Sequence, residues 1–217
     1  MGDGPYHPEG PAHVKALIVC ATMFLLRELE ASAIDVADIT VSETSVALWK
    51  AKGCTRSWTC VCDTDLPCPF HVLTERVESL RCFWHDRGEP LEPDSPLFPC
   101  SGGPYCSKRG VVATLRTAID NAGSASKAKD GSWVVSGHSF RITAARTLTC
   151  HGLDPITIQL IGRWGSDAVL TYIAESPLQG LLTASRGTSR CFEHCWKNLI
   201  RQMAEQKKEQ EVLKRLV

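Results

Sequence analysis

One stretch constrains this chain more than any other: residues 136–175, SGHSFRITAARTLTCHGLDPITIQLIGRWGSDAVLTYIAE. Its punctuation divides it into helices. The spacing predicts a helix from Ser136 to Cys150, halted at His151-Gly152, where glycine is free to take a left-handed cap. Asp154 then caps a short helix from Pro155 to Ile161, with proline at its first position. A further helix runs from about Ser166 to Ala174 and ends before Pro177.

The rest of the chain is also mainly helical. His13 to Ile34 has apolar residues at Val14, Leu17, Ile18, Ala21, Leu25 and Leu29, a helical period, with a break near Leu26–Glu28. Asp38 to Val41 and Ser45 to Trp49 read as two strands joined through Ser42-Glu43-Thr44. Residues 53–68 read as a Cys-rich loop, Pro69 to Trp84 as a helix, and Gly88 to Pro104 as a Pro/Gly loop without period. Ser107 is the expected N-cap of a helix reaching Ala122, followed by a polar loop to Val135. Cys191 to Val217 reads as a long charged helix. The expected fold class is α+β, mainly α-helical, with one small antiparallel sheet.

Composition excludes several classes. Apolar residues make up 43% of the 217 and charged residues 22%, enough for a core and too apolar for disorder throughout. The longest apolar run, Ala16 to Leu26, is too short to cross a bilayer. No Lys or Arg precedes Lys15, so residues 1–26 do not read as a secretory signal. The expected setting is therefore intracellular, with the eleven cysteines reduced, buried, idle or metal-bound. Net charge is zero, but residues 1–104 carry −7 and residues 105–217 carry +7. The basic half is where a polyanion would be sought.

Within the helical stretch, His138 and Arg141 are three apart and share a helix face. Tyr172, one of only three tyrosines, follows Arg141 by 31 residues, with Gly162-Arg163-Trp164 between them. Taken singly, an HxxR pair is more often a surface pair and a lone helical tyrosine a core or rim residue. Gly137-His138-Ser139 also begins like a hydrolase nucleophile elbow. Arg141 stands where that motif needs its last glycine, and no apolar strand leads into it.

In order and spacing, the His-x-x-Arg pair, the Gly-Arg-Trp box and the tyrosine resemble the tyrosine recombinases, or phage-type integrases. The Gly-Arg-Trp-x-Ser-Asp-Ala wording is most similar to members encoded by eukaryotic mobile elements. Upstream, Arg27, Glu30, Ile34, Asp38 and Ile39 match the family's first box. The family places a lysine on a following β-hairpin. Lys52 fits that register best, with Lys50 the alternative. The resemblance covers roughly Val14 to Ala174.

The resemblance implies roles. Tyr172 would attack phosphorus and form a 3′-phosphotyrosine, storing the bond energy. Arg27 and Arg141 would clamp the non-bridging oxygens, since a guanidinium is a planar fork. Lys52 would protonate the departing 5′ oxygen, and His138 would act as acid/base or orient the phosphate. Arg163 occupies the place where the family usually has His or Trp; it can donate to phosphate but cannot accept a proton. Trp164 is expected to pack behind Tyr172. The five cations, Arg27, Lys52, His138, Arg141 and Arg163, should surround one phosphate-sized space near Tyr172. The chemistry implies no metal or other cofactor. The rival is a catalytically inactive, domesticated or truncated recombinase domain that only binds DNA or protein.

A separate pattern is Cys60-x-Cys62-x5-Cys68-x2-His71, four zinc-type ligands within twelve residues. It could close a tetrahedral structural zinc site; reduced, idle cysteines in a loop are the alternative. The expected organisation is a frayed N-terminus over 1–12, a catalytic domain over 13–180 with a Cys-rich insertion at 53–71, and a helical tail over 181–217. The expected partner is double-stranded DNA, touched by Lys108, Arg109, Arg116 and Arg146. The C-terminal helix would serve self-association on DNA, as a terminal segment does in the family the chain resembles, or pack on its own chain or stay a free solvated helix. No membrane contact is expected, and a DNA enzyme of this kind would be nuclear. Family members carry a further N-terminal DNA-clamping domain. The residues before the first helix are too few for one, so DNA affinity is expected to be modest and salt-sensitive.

Overall fold

The structure, a computed structural model, describes residues 6–49, 55–101, 105–165 and 168–173, together with Ile200. Helix α1 (Val14–Met23) lies at the centre. Beyond Lys15 in its first turn it is almost wholly apolar, as a helix enclosed by others must be. Leu17, Ile18, Val19, Cys20, Ala21 and Met23 are all 0–1% exposed. The apolar run that is too short for a bilayer is thus a core helix. It separates two apolar clusters. Leu17, Ile18, Ala21 and Phe24 join one with Leu73, Leu97, Phe98, Leu115 and Phe140. Val19, Met23 and Leu25 join the other with Ala144, Leu148, Ile158 and Val169. Each such large side chain contributes about 1.5–3 kcal/mol on burial. Burial also pushes the Cys20 thiol up to about 12, making it a packing group and not a nucleophile.

The chain turns sharply after α1. Leu25 is fully buried at φ 51°, a left-handed conformation that costs a leucine about 1 kcal/mol or more. Helix α2 (Glu28–Ser32) then starts from Arg27. The expected break therefore falls at 24–27, slightly earlier than the sequence suggests. A 3-10 turn (Val36–Asp38) leads into β1 (Ile39–Val41), which pairs antiparallel with β2 (Ser45–Leu48).

A third strand, β3 (Arg56–Thr59), lies inside what reads as the Cys-rich loop. It pairs with β2, Val46 opposite Trp58 and Leu48 opposite Arg56, giving the order β1-β2-β3. Four residues beside cysteines and aspartates give little periodic signal, yet β3 has a clear task. Trp58 Nε1 donates to the Met23 carbonyl at 2.9 Å, and the Arg56 guanidinium donates to the Phe24 carbonyl. These are carbonyls at the end of α1, which no intrahelical partner satisfies.

Helix α3 (Pro69–His85) packs on α1 and the sheet, and α4 (Lys108–Asn121) packs on α1 and α2. The Ser107 hydroxyl accepts from the Gly110 amide at 2.9 Å, as its N-cap position predicts. The Pro/Gly segment between α3 and α4 buries Leu97 and Phe98, with buried Arg76 donating to the Leu97 carbonyl at 2.8 Å. Helices α5 (Ser139–Cys150), α6 (Pro155–Gly162) and α7 (Ala168–Ile173) pack on one another, and α5 also packs on α1. Asp154 caps α6 by accepting from the Thr157 amide at 2.9 Å. The described residues are mainly helical with one small antiparallel sheet, as expected. Among them no helix is long and apolar enough to cross a membrane. The expected long helix over 191–217 falls outside the described residues, apart from buried Ile200.

Candidate active site

Three of the arginines singled out by the sequence meet at one carboxylate. The Arg27 amide donates to Glu30 Oε2 at 2.7 Å, fixing the Glu30 side chain over the first turn of α2. Arg141 donates to the same oxygen at 3.2 Å, and Arg163 to Oε1 at 2.5 Å. Burial pushes the Glu30 carboxyl up, but the Arg27 amide and the Arg141 and Arg163 charges outweigh it and hold it below its usual value. Arg141 is 3% exposed. Its Nε donates to the Leu25 carbonyl at 2.9 Å, so the left-handed turn and α5 are tied together. Burial lowers the Arg141 pKa, and the Arg27 and Arg163 charges add to that. The Arg27 side chain itself is exposed. The guanidinium groups of Arg141 and Arg163 therefore share one carboxylate, and with the Arg27 charge acting on Arg141 from nearby they leave an excess of positive charge that suits an anion.

Position 163 has a structural account. Arg163 ends α6 at φ 53°, in the left-handed cap usually taken by glycine. Its amide donates to the Leu160 carbonyl and the Trp164 amide to the Gln159 carbonyl, the paired bonds of a Schellman turn. The ion pair to Glu30 offsets the strain of a non-glycine residue there. Gly162 is needed for the turn that follows. A Cβ on it would lie 2.2 Å from the Trp164 ring. The ring folds back over this glycine, with the Arg141 guanidinium 5.7 Å from its centre and the Tyr172 ring 5.8 Å away. Gly162→Ala is accordingly expected to displace Trp164 and cost about 1–3 kcal/mol. A thermal melt showing no loss would contradict this packing.

Tyr172 lies on α7, half-buried against Trp164. Arg146 Nε donates to its carbonyl at 3.2 Å, joining α5 to α7. His138 is not inside a helix as expected. Helix α5 begins one residue later, because Ser136 to Ser139 form a tight turn: the Ser139 amide donates to the Ser136 carbonyl and the His138 amide to the Ser136 hydroxyl. His138 is thus the exposed N-cap residue, one turn ahead of Arg141. Its neighbour Gly137 lies against the buried carboxylate of Glu28, and Glu28 Oε1 pairs with Lys108 Nζ at 3.1 Å.

No family model matches the chain, and no curated protein matches it. Solved structures do. XerH site-specific recombinase bound to palindromic difH substrate, a post-cleavage complex, aligns at a TM-score of 0.52 and 17% identity. The alignment covers 76% of this chain and 43% of that one. XerH bound to difH substrate in a pre-cleavage complex aligns at 0.51 and 18%, over 79% and 47%. The chain has the tyrosine recombinase fold. It spans less than half the length of these XerH chains.

Within this recombinase fold, Lys52 and its alternative Lys50 belong to the connection between β2 and β3, outside the described residues. The other basic candidates are on or near α4 and α5. Arg116 donates through Nε and an amino nitrogen to the Val135 carbonyl, both at 3.1 Å, and stacks over Trp133 at 3.7 Å. Arg109 is exposed. Lys108, Arg109, Arg116 and Trp133 line an open groove of about 650 Å³ along α4. Sequence reasoning did not single out Glu28 or Trp133. Glu28 follows the first box arginine directly, and Trp133 stands in a loop with no pattern.

The cysteine pattern also has a geometry. Cys60, Cys62, Cys68 and His71 bring their sulfur and nitrogen atoms within 4.8 Å of one another, beside the end of β3 and the first turn of α3.

Proposed function

We propose that this domain cuts and rejoins DNA strands through a 3′-phosphotyrosine intermediate. The observation that carries the reading is the meeting of the Arg141 and Arg163 guanidinium groups at Glu30, which the Arg27 amide fixes in place, with Trp164 bridging from Arg141 to Tyr172. A scissile phosphodiester entering beside Arg27 would replace water around the guanidinium groups. Arg141 and Arg163, held by Glu30, would present their remaining N–H groups to the non-bridging oxygens. They would stabilise the charge that grows in the transition state. The Tyr172 oxygen attacks phosphorus as the P–O5′ bond breaks. The departing 5′ oxygen takes a proton, a role assigned to Lys52. Rejoining is the reverse, with a 5′ hydroxyl attacking the phosphotyrosine. His138, exposed and one turn ahead of Arg141, would hold the phosphate or take up the phenol proton.

The binding partner in this reading is double-stranded DNA, reached partly through the groove of Lys108, Arg109, Arg116 and Trp133. Its affinity should fall with rising salt, because phosphate contacts release counterions. A mobile-element origin, a nuclear setting and self-association through the C-terminal segment belong to the same proposal.

The test is a pool of nicked duplexes of randomised sequence, which on cleavage lose the short fragment bearing the new 5′ hydroxyl, so that rejoining fails and the enzyme is trapped. Protein-linked DNA recovered under denaturing conditions is the expected result. DNA binding by gel shift with no covalent product would instead favour the inactive, DNA-binding descendant.

A further inference from the structure

We propose that Cys60, Cys62, Cys68 and His71 form a structural zinc site that fixes β3 onto α3. The metal site stands apart from the recombination chemistry and does not depend on it.

Four ligands come from 12 residues of chain, but the fold decides how they meet. Cys60 follows the last residue of β3, Cys62 is in the turn beyond it, Cys68 is the N-cap of α3 and His71 is in its first turn. His71 Nδ1 lies 3.1 Å from the Cys62 sulfur, 3.3 Å from Cys68 and 3.8 Å from Cys60. The Cys60 and Cys68 sulfurs are 3.9 Å apart. A zinc tetrahedron with Zn–S near 2.3 Å and Zn–N near 2.0 Å requires edges of about 3.5–3.8 Å. The observed separations scatter around those values. Three thiols and an imidazole are a closed set of soft and borderline ligands, the kind that leaves no position for substrate. The shell beyond the ligands fits as well. The Val61 amide points at the Cys68 sulfur at 3.5 Å, a hydrogen bond that would steady a metal-bound thiolate.

The site has a mechanical consequence. β3 is an edge strand of four residues, paired on one side only, with β2. A metal at its end would clamp it to α3. Through Arg56 and Trp58, β3 then holds the carbonyls of Phe24 and Met23, one short turn before Arg27. Zinc would thus stiffen the segment that presents Arg27, without touching the reacting atoms. This last consequence rests on the recombinase reading; the metal site itself does not.

The experiment uses the full chain, purified without added metal and with no histidine tag. Elemental analysis should find about one zinc per chain. Cobalt substitution should give the intense visible bands of a tetrahedral thiolate site. Cys62→Ser should lose the metal, while Cys82→Ser, exposed and outside the cluster, should keep it. Chelation should lower Tm by about 10 °C or more, because binding energy of a structural zinc is folding energy. If Cys62→Ser does not fold, His71→Cys retains four ligands and should hold zinc with its cobalt bands shifted. A folded wild-type protein free of zinc, with a Tm indifferent to chelator, overturns the site. So does a zinc content that Cys62→Ser leaves unchanged. Neither result bears on DNA cleavage, so failure here and failure of the recombinase reading are distinguishable.

Discussion

If the domain cuts DNA as proposed, Tyr172→Phe is expected to abolish the covalent protein–DNA product, by at least about a thousandfold, because it removes the proposed attacking oxygen. The fold should survive. Tyr172 is half-buried through its ring, which faces Trp164 at 5.8 Å, and phenylalanine keeps that ring. The change in stability should stay within about 1 kcal/mol. DNA binding measured by gel shift should persist, since the arginines are untouched. Equal adduct yield from wild type and variant would exclude Tyr172 as the nucleophile. Loss of adduct together with loss of folding would show that the residue acts through packing.

Glu30→Gln should have the second largest effect, on stability and on the site together. The variant is nearly isosteric, but it leaves Arg141, which is 3% exposed, and Arg163 facing each other without a counter-charge. Removing one partner of a buried pair costs about 3–5 kcal/mol; the partial exposure of Glu30 reduces this to about 2–3 kcal/mol. The acid dependence follows from the same geometry. The folded carboxyl titrates below its ordinary value. Its contribution is therefore complete above the ordinary glutamate pKa of about 4.3 and is lost as pH falls through the lower folded value. Wild-type Tm should drop more steeply than that of Glu30→Gln below about pH 4. Parallel acid limbs for the two proteins would mean that Glu30 does not carry the arginines.

The candidate residues were legible through the order and spacing of boxes that resemble a known family. Arg27, Glu30, Ile34, Asp38 and Ile39 form one register, and Arg141, Arg163 and Tyr172 another. What the sequence did not show is that Glu30 joins the two registers. A glutamate three residues after an arginine reads as a surface pair or half a capping box, and only folding brings Arg141 and Arg163 to it. Helix α5 starts later than the sequence suggests because Gly137 is pressed against Glu28 and Ser136 and Ser139 close a turn. Strand β3 was missed because its stability comes from pairing with β2 and from capping α1, neither of which leaves a local period. Leu97 and Phe98 enter the core from a loop for the same reason.

By itself, then, the sequence determined the helical make-up, the order of the boxes and the cysteine–histidine spacing, because propensity, capping and ligand chemistry act over a few residues. Only the tertiary structure decided that carbonyls at the end of α1 and just beyond it are taken by β3 and α5, that Leu25 and Arg163 hold left-handed turns, and that three arginines converge on one carboxylate. Those outcomes depend on burial and long-range pairing, in which strain and charge at one position are offset by contacts a hundred residues away.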